Sequence, residues 1–330
     1  MFPTLSYLLR YLTGWSLYLP IPTFGFFMAL SFWAAYAVFT SEFRRKQRPG
    51  GVPVDNGTVA DNTGTAPAGI HAVPNSTGSI PANIHVGRLM DRLLLWCGLI
   101  GFAGALLLAK LEDSYNLWHH PWRWLTRYYG LNYYGGLIFG AATYFYILRR
   151  RGILLAVAAD IGSPGMLLAY GIGRMGCHLA GDGDWGIVNR AAKPAWLSWV
   201  PDGAWAAHYP HNVIRQGVYL EGCHLDYCTV LPDAVFPTSL YESLVCGVLF
   251  FLLWALRRRL TTPGLLFFIY ATLIGLERFL VEYIRVTPKH IFWGWALTQA
   301  QLISLGFILI GMAGISHILT VIAKKAYFYS

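Results

Sequence analysis

The sequence predicts an all-α polytopic membrane protein. Seven transmembrane helices are expected, with the N-terminus outside, the C-terminus cytoplasmic and a small outward-facing loop domain. Three observations carry this expectation. The 330-residue chain is 55% hydrophobic and only 12% charged, where soluble proteins carry about 25% charged residues. Its apolar residues gather in runs near membrane-spanning length. Its basic residues form dense clusters at the ends of those runs, as charges that set topology do.

The expected spans are 24–40, 93–109, 131–148, 152–172, 238–256, 264–284 and 291–322. The last reads as one long helix or as a helix with a break. Arg44, Arg45, Lys46, Arg48, Arg88 and Arg92 share one side of the first two spans. With seven spans, Arg149–Arg151, Arg257–Arg259, Lys324 and Lys325 fall on that same side, which is therefore the cytoplasm. Residues 111–130, 173–237 and 285–290 then face outward. Residues 1–20 read as an outer interfacial segment, with Pro20 and Pro22 turning into the first span. No cleavable signal peptide with a small-residue site is visible, so the first span is expected to stay.

The chain reads as a single membrane-embedded domain, 1–330, with two inserts. Residues 47–87 are rich in Gly, Pro, Asn, Thr, Ala and Ser, and read as a flexible cytoplasmic loop. Residues 187–237, rich in Trp, Pro, His and Tyr, form an outward-facing head insert folded onto the membrane surface. This head holds Cys223 and Cys228, which close a small loop as a disulfide if the outer face is oxidising. Zinc held by His208, His211, Cys223, His224 and Cys228 is the rival reading, although the spacing matches no recognised zinc pattern. Free thiols are the third. Cys97 and Cys246 fall inside spans as small buried hydrophobes. No metal and no cofactor are expected. The net charge of +9 comes from span-end clusters, and no aromatic-basic stripe suggests a nucleic-acid partner.

The polar residues near the outer ends of the spans carry the functional expectation, because intramembrane charge is costly and functional by default. Tyr170–Gly186 holds Arg174, Asp182, Asp184 and six glycines where the fourth span runs out. A guanidinium at a membrane edge needs an anionic partner, and phosphate fits its fork. Gly171-Ile-Gly-Arg-Met-Gly176 formally matches a dinucleotide fingerprint, but it follows a membrane helix rather than a strand. Its glycines instead allow backbones to approach closely, or backbone amides to face a headgroup. Asp182 and Asp184 orient the arginine or hold the turn. Arg278, Glu282 and Arg285 stand at i, i+4 and i+7, so a helix running to 284 places them on one face. They form an ion-pair ladder or an anion site. Glu242 begins the fifth span as an arginine partner or a snorkelling residue, and Tyr134-Gly135-Gly136 opens the third with room for a lipid or another helix. No Gly-x-Ser-x-Gly elbow, His-Glu-x-x-His pair or Walker loop is present, which argues against a serine hydrolase, zinc protease or ATPase.

Four blocks, in order and on one membrane side, resemble the bacterial prolipoprotein diacylglyceryl transferases. They are Tyr134-Gly-Gly-Leu-Ile; Gly173-Arg174-x-Gly176 with the acidic turn to Gly186; Pro237-x-x-Leu240-Tyr241-Glu242; and Arg278-Phe-x-Val-Glu282-x-x-Arg285. Gln301 and Ser304 fit the helix that follows. The resemblance runs from about residue 24 to 320, outside 47–87 and much of 187–235. It implies an enzyme of the bacterial cytoplasmic (inner) membrane with its active site toward the outer leaflet. Such an enzyme moves the diacylglyceryl group of phosphatidylglycerol to the lipobox cysteine of a preprolipoprotein signal peptide, making a thioether and releasing glycerol phosphate. It implies Arg174, Arg278, Tyr134 and Glu282 as catalytic residues, and Gly135, Gly136, Arg285, Asp182, Tyr241, Glu242 and His178 as substrate-binding ones. The thiol proton goes to Tyr134, His178 or Glu282, or the nearby arginines simply depress the thiol pKa; motif position favours Tyr134 for alignment or proton handling.

The chain departs from the family at several positions. Tyr134 stands where the family has histidine, Phe24 where it has tyrosine and Cys177 where it has asparagine. An apolar residue near Leu106 replaces a basic one, and Phe236 replaces a histidine. These fit a divergent active branch, or alternatively a lipid-binding paralogue acting as a sensor or scaffold.

Overall fold

The computed structural model describes residues 1–15, 19–47, 80, 84–112, 118–126, 132–288, 290–292 and 295–328. Most of the predicted 47–87 loop lies outside the described residues. The fold is mostly helical. Its helices are α1 (Leu5–Thr13), α2 (Thr23–Gln47), α3 (Val86–Glu112), α4 (Pro121–Thr126), α5 (Tyr133–Arg150), α6 (Leu155–Ala180), α7 (Asp202–Trp205), α8 (Thr238–Leu256), α9 (Leu265–Val281) and α10 (Gln299–Phe328). Two antiparallel hairpins accompany them, β1 (Val218–Tyr219) with β2 (Thr229–Val230) and β3 (His290–Phe292) with β4 (Trp295–Leu297). Five helices, α2, α3, α6, α8 and α10, are long and apolar enough to cross a membrane. The shorter α5 and α9, of 18 and 17 residues, are not among those five.

The chain divides into two compact units. In the unit Val38–Ile161, α5 runs antiparallel to α3. Gly135 near the start of α5 faces the Gly104 carbonyl, and Gly140 faces the Cys97 carbonyl two turns earlier on α3. Asn132 caps α5 by accepting from the Gly135 amide at 3.0 Å, and its own amide donates to the Ala105 carbonyl at 3.1 Å. The paired glycines thus serve helix–helix approach.

In the unit of Met1–Ala37 and Gly162–Ser330, α6 is the central strut. A Cβ on Gly171 would stand 3.0 Å from the Cys246 Cβ of α8, and one on Gly176 would stand 2.6 Å from the Phe27 Cβ of α2. The helices α9 and α10 pair antiparallel through Gly275 and Gly311. Between α6 and α8 the chain builds a small head. Its core is the buried cluster Trp185, Ala207, Tyr209, Leu231 and Val235. A disulfide joins Cys223 and Cys228 across the β1–β2 hairpin, with Cα atoms 5.7 Å apart.

Two sequence expectations change, and one left open is decided. First, the fourth span does not run out before Arg174: α6 continues to Ala180, so Arg174 lies within the helix. Gly171, Gly173 and Gly176 weaken helix propensity, but the close packing they permit against α2 and α8 keeps the helix going. Second, α9 ends at Val281, with Glu282 as its C-cap, so Arg285 does not share a helical face with Arg278. The backbone there turns to pair with another segment: Gly186 and Arg285 form an antiparallel bridge, and the Ile187 amide donates to the Ile284 carbonyl at 2.8 Å. Of the two readings of the run 291–322, the broken one holds: its first residues belong to the β3–β4 hairpin and α10 begins at Gln299.

Candidate active site at three arginines

The site is assembled from ends of elements in one unit: the last turns of α6, the glycine turn after it, the first turns of α8, and the chain leaving α9. Glu242 is its hub. Its side chain is fully buried, yet it meets three guanidiniums. Oε2 accepts from Arg174 Nε, while Oε1 takes Arg278 Nη1 at 2.7 Å and Arg285 Nη1 at 3.4 Å. Asp184 is a second bridge. Oδ2 accepts from Arg174 Nη1, and Oδ1 accepts from Arg285 Nη2 at 2.6 Å. Glu282 is a third anion. Its Oε2 lies 2.9 Å from Arg278 Nη2 and 4.0 Å from Arg285 Nε. These are ion-pair distances without hydrogen-bond geometry, so neither Glu282 oxygen receives a hydrogen bond among the described residues.

The turn that carries Asp184 is fastened on several sides. Gly181 and Gly183 adopt φ of +66° and +98°, the left-handed region where glycine is unstrained. Thr238 Oγ1 donates to the Asp184 carbonyl at 2.9 Å, and the Gly186 amide donates to the Phe236 carbonyl at 2.8 Å. A Cβ on Gly186 would run into the Ile284 carbonyl, so the turn and the segment bearing Arg285 can meet only at a glycine. The Asp184 amide donates to Asp182 Oδ1 at 3.2 Å.

The two aspartates have opposite electrostatics. Burial pushes the Asp184 carboxyl up, but Arg174 and Arg285 beside it outweigh burial and leave it below the usual carboxylate range. Burial pushes Asp182 up as well. The Cys177 thiol opposes this and the Asp184 charge adds to it, leaving Asp182 above that range. Cys177, Asp182 and Asp184 bring their donor atoms within 4.8 Å of one another. Two guanidiniums already engage the Asp184 oxygens, so this arrangement suits arginine-holding better than cation-holding.

The structure therefore brings together Arg174, Arg278, Arg285, Glu242, Glu282 and the Asp182 turn. It does not bring Tyr241 or His178 to the arginines. The Tyr241 hydroxyl donates to the Trp205 carbonyl at 3.3 Å. The His178 ring Nδ1 lies 3.0 Å from the Tyr209 hydroxyl, in the head core. Tyr134, Gly135 and Gly136 belong to the other compact unit, on α5.

Asp184, expected from the sequence to orient the arginine or hold the turn, belongs to this centre, and so do two residues outside the sequence-derived set. Asp184 bridges two arginines. Tyr170, one turn before Arg174, sets its ring 6.0 Å from that guanidinium, a stacking signal visible in the i, i+4 spacing. Glu277 is buried beside Arg278, and neither of its oxygens meets a hydrogen-bond donor among the described residues. Its signal in the sequence is a carboxylate inside an apolar run.

Chemically, the cluster offers fixed, water-poor cations arranged to take anionic oxygens. A phosphatidylglycerol–prolipoprotein diacylglyceryl transferase of Xylella fastidiosa (strain 9a5c) is 30% identical over 194 residues, covering 56% of this chain and 61% of the relative. The proteins of that name from Bacillus cereus (strain G9842) and Cutibacterium acnes are each 32% identical. They match over 183 and 173 residues, covering 56% and 52% of this chain and 58% and 50% of themselves. The matched part is thus less than two thirds of the length of these relatives. The family profile described as prolipoprotein diacylglyceryl transferase matches residues 78–317. That range takes in every arginine and carboxylate of the cluster, and the chain belongs to the prolipoprotein diacylglyceryl transferase family.

Proposed function

We propose that this integral membrane protein transfers the diacylglyceryl group of phosphatidylglycerol to the lipobox cysteine thiol of a preprolipoprotein. The observation that carries the reading is the triad of buried Arg174 with half-buried Arg278 and Arg285, held around the fully buried Glu242. In the reaction a carbon–sulfur bond forms at the glyceryl carbon and the carbon–oxygen bond to phosphate breaks. The phosphate oxygen keeps the electron pair and leaves as glycerol phosphate. Negative charge grows on phosphate oxygens, and guanidiniums already oriented in a low-dielectric pocket stabilise it without reorganising. The lipobox thiol, with an ordinary pKa near 8.5, must lose its proton. Motif position gives Tyr134 a part in alignment or proton handling. Glu282, whose oxygens receive no hydrogen bond, is the acceptor that the arginine cluster itself offers.

The membrane arrangement belongs to the same proposal: seven spans, N-terminus out, and the site at the outer leaflet of the bacterial inner membrane. Ion pairs support the count. Arg278 near the end of α9 bonds Glu242 near the start of α8, so α9 returns to the side from which α8 set out. At 17 residues it is about 26 Å long, close to the roughly 30 Å hydrocarbon core. Antiparallel packing along α3 supports the same for α5.

Purified protein incubated with phosphatidylglycerol and a lipobox peptide should add one diacylglyceryl mass to the peptide. Arg174→Ala and Arg278→Ala should abolish that gain while the protein stays in the membrane. Full transfer by both variants would reject the assignment, and bound lipid without transfer by the parent chain would make it a lipid-binding protein instead.

A further inference from the structure

We infer that Asp184 is a resident anion in the seat of the substrate phosphate, and that phosphatidylglycerol enters by displacing this side chain from Arg174 and Arg285. The inference rests on the transferase reading of the arginine site and adds how that site is held closed.

The charge balance comes first. Arg174, Arg278 and Arg285 are matched by Asp184, Glu242 and Glu282, each within ion-pair distance. A phosphodiester arriving at this set, which also holds the buried Glu277 and has no spare guanidinium, adds a further negative charge where uncompensated charge is costly. One resident carboxylate has to yield.

Only one of the three can. The side chains of Glu242 and Glu282 are fully buried, whereas that of Asp184 is 34% exposed. Asp184 also sits on the turn between Gly181 and Gly186, not in a helix. The turn backbone is held through the Asp184 carbonyl and the Gly186 amide, so the yielding motion is a rotation of one short side chain toward solvent.

Geometry shows what replaces it. The two Asp184 oxygens each take one nitrogen, one from Arg174 and one from Arg285. The two non-bridging oxygens of a phosphodiester present the same pair of acceptors. A carboxylate leaves something undone, however. Arg174 Nη2 is buried and meets no acceptor among the described residues, although a buried donor without a partner is costly. A phosphodiester carries further oxygens that can reach such a donor, which favours the exchange.

The alternative role for Asp184 is to hold the arginines in place, and the two roles predict opposite effects. Dihexanoyl-phosphatidylglycerol titrated into the detergent-purified full chain measures them. Asp184→Asn keeps the shape and removes the charge, and should bind this lipid at least about tenfold more tightly than the parent. Asp184→Ser should do the same, and serves if the first variant fails to fold, as judged by thermal unfolding. Equal or weaker binding by the folded variants, with binding lost in Arg174→Ala, overturns the displacement and leaves the arginine site standing. Unchanged binding in Arg174→Ala overturns the site reading, and the inference with it.

Discussion

Glu242 shows how much one side chain can organise. A carboxylate with no solvent exposure that meets three guanidiniums is stable only because its charge is matched. Breaking a buried pair from one side strands the other charges, at a cost of about 3–5 kcal/mol. Glu242→Gln should therefore lower stability by about that much in a denaturant titration in micelles. The exposed pair Lys193–Asp202, whose aspartate side chain is 96% exposed, sets the contrast. Asp202→Asn should change stability by less than about 1 kcal/mol. Asp182 carries a pH prediction. Its folded carboxyl is raised, so its charged form works against the fold. Above the ordinary carboxylate value, near 4, Asp182→Asn should melt higher than the parent. Below that value, where the parent is protonated in both states, the two should coincide. Asp184 is depressed instead, so its stabilising contribution is present above the ordinary value and is lost as pH falls through its lower folded one. Melting temperatures from pH 3 to 8 read both signs. At this scale the sequence marked the arginines well, because charge in an apolar run is conspicuous. It could not show that Asp184 and Glu242 each bridge arginines from different segments, since such sharing is created by tertiary contact.

Helix lengths and ends were legible where composition changes abruptly, as at Thr238–Leu256. They were less legible where glycine plays two parts. Gly171, Gly173 and Gly176 look like the end of a helix, yet α6 passes through them to Ala180. Close packing outweighs propensity there, and a single sequence does not reveal the neighbour. Arg285 illustrates the converse. The i, i+4, i+7 spacing is helical, but strand-like pairing with Gly186 takes the backbone first. The same physics makes helix glycines separable by experiment. A Cβ on Gly311 of α10 would strike Thr272 Oγ1 and stand 2.7 Å from the Phe268 carbonyl of α9. One on Gly247 of α8 would meet nothing within 4 Å. Gly311→Ala should thus destabilise by about 1–3 kcal/mol through overpacking. Gly247→Ala should be neutral or gain up to about 1 kcal/mol from helix propensity. Denaturant midpoints of the two variants decide this, and equal midpoints would remove close packing as the reason for Gly311.

At the largest scale, within the unit of Met1–Ala37 and Gly162–Ser330, charge and chemistry fall at opposite helix ends. Arg257–Arg259 follow α8 and Lys324 lies in the last turns of α10. The arginine site, the head and the Cys223–Cys228 disulfide all lie at the opposite ends of the helices they adjoin. Dense basic clusters belong in the cytoplasm, and a disulfide persists in an oxidising compartment. Both preferences are satisfied only if α9 crosses the membrane despite its length. If it did not, the chain after Arg257–Arg259 would remain cytoplasmic at Val286, one residue beyond Arg285. Yet Arg285 pairs with Asp184 and Glu242 near the start of α8, the end that the proposed arrangement turns outward. Exposed positions on either side of α9 test this directly, with Arg259→Cys and Val286→Cys treated in turn with a membrane-impermeant maleimide. Val286→Cys should label in intact cells, and Arg259→Cys only after permeabilisation. Labelling of both under the same condition would mean that α9 stays on one side, and a shared outward arginine cluster could not then be built.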